Sequence, residues 1–193
     1  PLEGESNFKG LKKAYAKGVE LRGKTLGVIG FGRIGQEAAK IGLGIGMNVI
    51  AADKFMDSAT VKVTLFNGQS IDVDIKTQSM ESVLAEADFV TLHVPAQKEY
   101  VIGEAQFDQM KDRSVIVNAA RGGVIDEVAL LKALDSGKLA FAGLDTFEDE
   151  PKPAIQVLMH PKVSLTPHIG AATGEAQDRI GVELAEQISA ILA

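Results

Sequence analysis

The chain has 193 residues, 46% of them hydrophobic and 24% charged, and carries a formal net charge of −6. This is the balance of an ordinary globular protein, and the negative charge repels nucleic acid and anionic membrane surfaces at long range, so neither is expected as a partner. Cysteine is absent, which excludes disulfides, thiolate metal sites and cysteine nucleophiles; no run of about 18 apolar residues offers a membrane span, no metal is expected, and a cytoplasmic setting fits.

Pro1-Leu2-Glu3-Gly4 has no initiator Met, no basic stretch and no apolar stretch, and reads as the start of a piece of a longer protein, not as a signal peptide. Residues 1–22 form a linking segment, with the charges of Phe8–Lys17 on the solvated face of a helix or on a dimer arm. Thereafter short apolar runs rich in β-formers alternate with helical patterns. Strands are expected at Thr25–Gly30, Asn48–Asp53, Phe89–Val94, Ser114–Ala119, Ala140–Asp145 and Val163–Thr166. Helices are expected at Gly32–Leu43, Glu127–Ser136 and Gly174–Leu192. The alternation predicts an α/β fold, a Rossmann-type doubly wound parallel sheet flanked by helices. Its core would run over 23–173, within a single domain of 193 residues closed by a C-terminal helix over 174–193. Runs such as Val115-Ile116-Val117 are continuous, so both sheet faces should be covered. Ile180, Leu184, Ile188 and Ile191 recur at helical spacing and should lie on one buried face.

The segment 61–76 breaks this alternation. Its apolar residues alternate on both sides of Asn67-Gly68, a hairpin signal. A two-residue loop would place Val63 opposite Asp72 and split the apolar rows between the two faces. A three-residue loop of Phe66, Asn67 and Gly68 pairs Val63 with Ile71 and Val61 with Val73, and gives Gly68 the left-handed position that such loops need. The hairpin reads as an inserted surface decoration after the second strand.

Chemistry is concentrated at strand ends. Gly30-Phe31-Gly32-Arg33-Ile34-Gly35 follows the first strand and opens a helix. Gly30 serves the turn, Gly32 a close approach to a pyrophosphate, and Gly35 helix–strand packing. A diphosphate would sit at the helix N-terminus. Asp53, eighteen residues past Gly35 at the end of the next strand, would accept hydrogen bonds from ribose hydroxyls and repel a 2′-phosphate. The expected cofactor is therefore NAD in preference to NADP. Arg121, Glu150 and His168 follow three successive strands and can converge. An arginine grips a carboxylate, a histidine moves a proton near neutral pH, and a glutamate bonded to it orients the ring. His93 reads as structural or cofactor-adjacent and His160 as surface. Glu148 and Asp149 read as solvated loop carboxylates.

Together GFGRIG, NAARGGVIDE, LDTFEDEP and TPHIGAAT resemble the D-isomer-specific 2-hydroxyacid dehydrogenases, from about Leu21 to the end. The ending TPHIGAATGEAQDRIGVELA is most similar to the phosphoglycerate dehydrogenase branch, which opens serine synthesis. The resemblance implies hydride transfer between NAD and a D-2-hydroxyacid, with 3-phosphoglycerate as substrate. His168 would be the acid/base, Glu150 its partner, and Arg121 the ligand of the substrate carboxylate. Asp145 would hold the nicotinamide carboxamide and Arg33 and Ile34 the diphosphate. Val94, Pro95, Ala119, Ala120, Arg121, His168, Ile169, Gly170 and Ala171 would form the remaining cofactor surface. A homodimer is usual among such proteins, and their substrate-binding domain would lie outside these 193 residues. Corepressor-like NAD-sensing proteins of the same fold, or a bare NAD(H)-binding module, are the alternatives. The family's usual Val after Leu-Asp is replaced by Thr146.

Overall fold

The computed structural model describes residues 8–16 and 18–192. In chain order the elements are α1 (Phe8–Tyr15), β1 (Thr25–Ile29), α2 (Arg33–Gly44), β2 (Asn48–Ala52), β3 (Ser58–Thr64), β4 (Ser70–Gln78), α3 (Met80–Glu86), β5 (Phe89–Leu92) and α4 (Glu104–Gln109). They continue with β6 (Ser114–Asn118), α5 (Glu127–Ser136), β7 (Leu139–Leu144), α6 (Ile155–Leu158), β8 (Val163–Leu165) and α7 (Gly174–Leu192). The strands form one sheet in the order β3-β4-β2-β1-β5-β6-β7-β8, parallel except where β3 runs against β4. All six expected strands and all three expected helices are present. The strand order reverses at β1, so the crevice for a ligand opens above the carboxyl ends of β1 and β5.

The hairpin has the register of the three-residue loop: Val61 pairs with Val73 and Val63 with Ile71. Gly68 takes φ +84, the left-handed conformation that glycine adopts without steric cost. It is not a surface decoration, however. β4 pairs in parallel with β2 through Ala51–Thr77 and Ala52–Gln78, and Val61 and Ile75 are buried with Phe31 and Ala39. The residues that weld the hairpin to the sheet lie just past the alternating run, where hydrophobic period alone gives no signal.

Burial differs between the two faces. One face packs against α3, α4, α5 and α6 through Val83, Leu84, Phe107, Leu130, Leu134 and Val157. The other is covered by α2, which packs over β1, β2 and β3 and, among the described residues, leaves β5 to β8 without a helix of their own there. On β6 and β7 the second face stays open, with Val117 37% and Phe141 57% exposed. The expectation that both faces are covered fails there. It fails again at α7, which has no buried residue: Ile180, Leu184, Ile188 and Ile191 are all exposed. Periodicity records that a face is apolar, not that its partner belongs to the same stretch of chain.

Candidate functional site: a dinucleotide cradle and a Glu–His pair

The turn after β1 is built by close approach. At Gly30, φ is +90 and an added Cβ would lie 2.5 Å from the carbonyl oxygen of His93; at Gly35 it would lie 2.0 Å from that of Gly30. Neither position can carry a side chain without moving backbone. Gly32 differs, because a Cβ there meets nothing within 4 Å. The open side of Gly32 is thus a space that any side chain would fill. Gly32 also caps α2 with no side-chain hydrogen bond, leaving first-turn N–H groups free to meet an anion. Asp53 stands beside this turn. Its Oδ2 accepts from Phe31 N at 2.7 Å and its Oδ1 from Phe55 N at 2.8 Å. The residues present fit a dinucleotide. Ile34 is exposed, and Arg33, also exposed, pairs with Glu183 of α7 at 3.0 Å.

Across the switch point, Val94 is half-buried against Gly30 and Pro95 and Ala119 are exposed. Ala120, also expected on the cofactor surface, is buried. Its methyl lies in the core, its N–H donates to Asn118 Oδ1 at 3.0 Å, and its carbonyl accepts from Arg121 Nη1 at 2.6 Å. Asn118 Nδ2 also donates to the carbonyl of Arg121 at 3.0 Å, so this buried side chain fixes the turn that presents Arg121. Asn118 heads the NAARGGVIDE motif, but the sequence suggested no role for its side chain.

Asp145, 7% exposed, is engaged through both oxygens by the chain after β8. Its Oδ1 accepts from Thr166 Oγ1 at 2.6 Å and Ile169 N at 2.9 Å, and its Oδ2 from Gly170 N at 2.8 Å. Burial alone would push its carboxyl up, but these hydrogen bonds outweigh burial and hold it below the ordinary value. The clamped segment includes His168 at φ +54, a conformation that costs a non-glycine residue energy and persists only when its surroundings impose it. His168 Nδ1 lies 2.8 Å from Glu150 Oε2, and Glu150 Oε1 accepts from Phe147 N at 3.0 Å. These two bonds, that of His168 foremost, hold the Glu150 carboxyl below its usual range. A recess of about 270 Å³ includes Ala119, Asp145, Ile169 and Gly170 in its lining. A neighbouring cavity of about 430 Å³ includes Glu150 and His168, and the two share Leu165 and Thr166. Ala171 lies exposed just beyond.

Glu150 and His168 therefore meet directly. Arg121 does not bond to either; beyond Ala120, its guanidinium meets no hydrogen-bond partner among the described residues. His93 is half-buried with Nε2 3.1 Å from Thr91 Oγ1, and burial pushes its pKa down, toward the neutral form. His160 bonds to Asp135 at 3.2 Å, away from the cradle. Glu148 is not a solvated loop carboxylate, as its place in the sequence suggested: its Oε1 accepts from Glu127 N at 2.8 Å.

A parallel sheet with a glycine turn at its switch point, an acidic residue on the second strand and a Glu–His pair at the far strand ends defines a dinucleotide-dependent protein. Residues 4–170 match the family described as D-isomer specific 2-hydroxyacid dehydrogenase, NAD binding domain, and the chain belongs to that family. It is 44% identical over 174 residues to a D-3-phosphoglycerate dehydrogenase of Archaeoglobus fulgidus, covering 89% of this chain and 31% of that protein. It is also 44% identical to a hydroxypyruvate reductase of Thermotoga maritima, over 92% of this chain and 56% of the other. Among solved structures it resembles a glyoxylate reductase from Paecilomyes thermophila, with TM-score 0.73 and 37% identity over 86% of this chain and 48% of that one. The chain thus spans about a third to a little over half of these proteins.

Proposed function

We propose that this chain is the cofactor-binding part of an enzyme that moves hydride between NAD and a D-2-hydroxyacid, with 3-phosphoglycerate as the substrate and serine biosynthesis as the setting. The observation that carries the reading is the 2.8 Å contact between His168 Nδ1 and Glu150 Oε2 beside a recess lined by Asp145. With Nδ1 donating to the carboxylate, Nε2 is left as the acceptor of the substrate hydroxyl proton. His168 removes that proton as hydride leaves the carbon, so charge does not accumulate on the alkoxide, and returns it in the reductive direction. Glu150 stabilises the imidazolium that forms. Arg121, turning from the Ala120 carbonyl, grips the substrate carboxylate and polarises the reacting oxygen. Bound NAD supplies the hydride acceptor. The first turn of α2, with Arg33 and Ile34, receives the diphosphate, and Asp53 receives the ribose hydroxyls. Val94, Pro95, Ala119, Ile169, Gly170 and Ala171 line the rest. Asp145 reaches the carboxamide only with acceptor capacity left over from the bonds to Thr166, Ile169 and Gly170.

Support for phosphoglycerate comes from the name of the archaeal relative. The hydroxypyruvate and glyoxylate reductases among the other relatives mark neighbouring substrates as the competing assignments. The side chain of His168 is 47% exposed, so the chain alone is expected to hold NAD(H) with little turnover, because water is not excluded from the acid/base pair. We extend the reading to a homodimer in the cytoplasm, supported by the apolar surface of Val117, Phe141 and α7. Among the described residues no helix is long and apolar enough to cross a membrane. Turnover of D-2-hydroxyacids, measured on this chain and on any longer chain containing it, should fall by several orders of magnitude in His168→Ala with NADH binding nearly unchanged. Equal loss of both would sink the assignment.

A further inference from the structure

Three segments of the site come from different places in the chain: the Arg121 turn, the Phe147–Glu150 loop and the His168 loop. The last is clamped by Asp145. The first two meet at the N-terminus of α5 in an arrangement that the chemistry above does not use. Asp126 caps α5, accepting from Ala129 N at 2.9 Å, and Glu127 is its first residue. Although a carboxylate, Glu127 is only 7% exposed, and it is bound reciprocally to Glu148. Glu127 Oε1 accepts from Glu148 N at 2.9 Å while Glu148 Oε1 accepts from Glu127 N at 2.8 Å. Tyr100 Oη adds a donor to Glu148 Oε2 at 3.2 Å. Each side chain thus satisfies the backbone N–H of the other, closing a ring between two segments 21 residues apart. Burying a carboxylate costs free energy unless it is bonded in this way.

The position of this ring gives it a consequence. Glu148 N is adjacent to Phe147, whose N–H donates to Glu150, which in turn holds His168. The Phe147 carbonyl is also the atom against which Gly122 packs, since a Cβ on Gly122 would lie 1.8 Å from it. We propose that the Glu127–Glu148 ring is a positioning latch that fixes the Arg121 turn and the Glu150 carboxylate in one frame, and through Glu150 sets the orientation of His168. The proposed function assigns neither Glu127 nor Glu148 to substrate or cofactor. Their effect passes through Glu150. The proposal rests on the reading of His168 as acid/base only in its turnover consequence; the geometric consequence stands without it.

The tautomer of the His168 ring reports that geometry directly, because an imidazole donates to a carboxylate through Nδ1 only when the proton sits there. The protein holds three histidines, so long-range ¹H–¹⁵N spectra of the labelled chain near pH 8.5 resolve them, with His168→Gln identifying the signal. The native ring should be Nδ1-protonated. Glu127→Ala and Glu148→Ala should convert it to the mixed population of a free imidazole and leave His93 and His160 unchanged. Glu127→Gln and Glu148→Gln keep a carbonyl oxygen for the same backbone N–H and should retain the native tautomer. Wherever turnover is measurable, the alanine variants should lower kcat about tenfold with KM for NADH unchanged, as expected for a misplaced catalytic group.

Alanine variants with the native tautomer, or glutamine variants as disturbed as the alanine ones, would overturn the latch. So would unfolding of both alanine variants by circular dichroism, since the ring would then be a general structural support. If Glu127→Ala alone unfolds, Glu148→Ala decides. Absence of saturable NADH binding would defeat the functional reading and leave the tautomer result standing. Saturable binding with an undisturbed tautomer would defeat only the latch.

Discussion

Two aspartates end two strands in this sheet and do different work. Asp53 follows β2 and Asp145 follows β7, and each accepts backbone N–H bonds from a neighbouring loop. Asp53 is half-buried and its donors belong to the glycine turn and to its own downstream residues. It shapes the rim of the cradle and stays within reach of a ligand. Asp145 is buried and spends both oxygens on Thr166, Ile169 and Gly170. Its primary contribution is to hold the His168 segment. A carboxylate at a strand end is therefore a ligand group or an internal clamp according to how many of its lone pairs the protein already fills.

The contrast breaks first at Asp145. Asp145→Ala removes the shared acceptor of three hydrogen bonds and should cost about 3 kcal/mol of stability, read by thermal melting, with the His168 segment losing its order. Both Asp145 and Glu150 have lowered pKa values, so the stability they contribute is present above the ordinary carboxyl values near 4. It is lost as pH falls through their folded values. The amide resonances of Ile169 and Gly170 should accordingly show a titration step in acid, below about pH 4.

Asp53→Ala should do the reverse, weakening NADH binding about tenfold, or ~1.4 kcal/mol, with a much smaller change in melting temperature. A smaller effect is expected beside the clamp, at Thr146, which is 2% exposed and whose Oγ1 is the one buried side-chain polar atom without a partner among the described residues. Thr146→Val removes that orphan and should stabilise by about 1 kcal/mol, raising Tm by about 2–4 °C. The smallest concerns Glu127, whose pKa is raised, chiefly by burial. A raised acid is penalised once ionised, so its cost is absent below the unfolded value near 4.3 and grows as pH rises through the folded one. Glu127→Gln should therefore melt slightly above the native chain at pH 7, and the difference should close below about pH 4.3.

Much of this was legible in the sequence because the signals are local. Strand and helix limits follow from β-rich runs and from GFGRIG, and the hairpin register follows from keeping Val61, Val63, Ile71 and Val73 on one face with Gly68 in the turn. What was not legible depends on partners distant in the chain. The pairing of β4 with β2 rests on Thr77 and Gln78, which carry no apolar alternation. The exposure of Ile180, Leu184, Ile188 and Ile191 depends on what stands opposite α7. At the site, Arg121, Glu150 and His168 stood out by residue type, whereas Asn118, Glu127 and Glu148 act through backbone hydrogen bonds that no spacing rule encodes.

An NAD site guarded by Asp53 should show itself in a nucleotide titration. The chain contains no tryptophan, so the fluorescence of the nicotinamide can be followed as NADH or NADPH is titrated against native and Asp53→Ala protein. Such a site gives saturable NADH binding, much poorer binding of NADPH, and weakened NADH binding in Asp53→Ala. No saturable binding of either nucleotide, or NADH binding indifferent to Asp53, would contradict it.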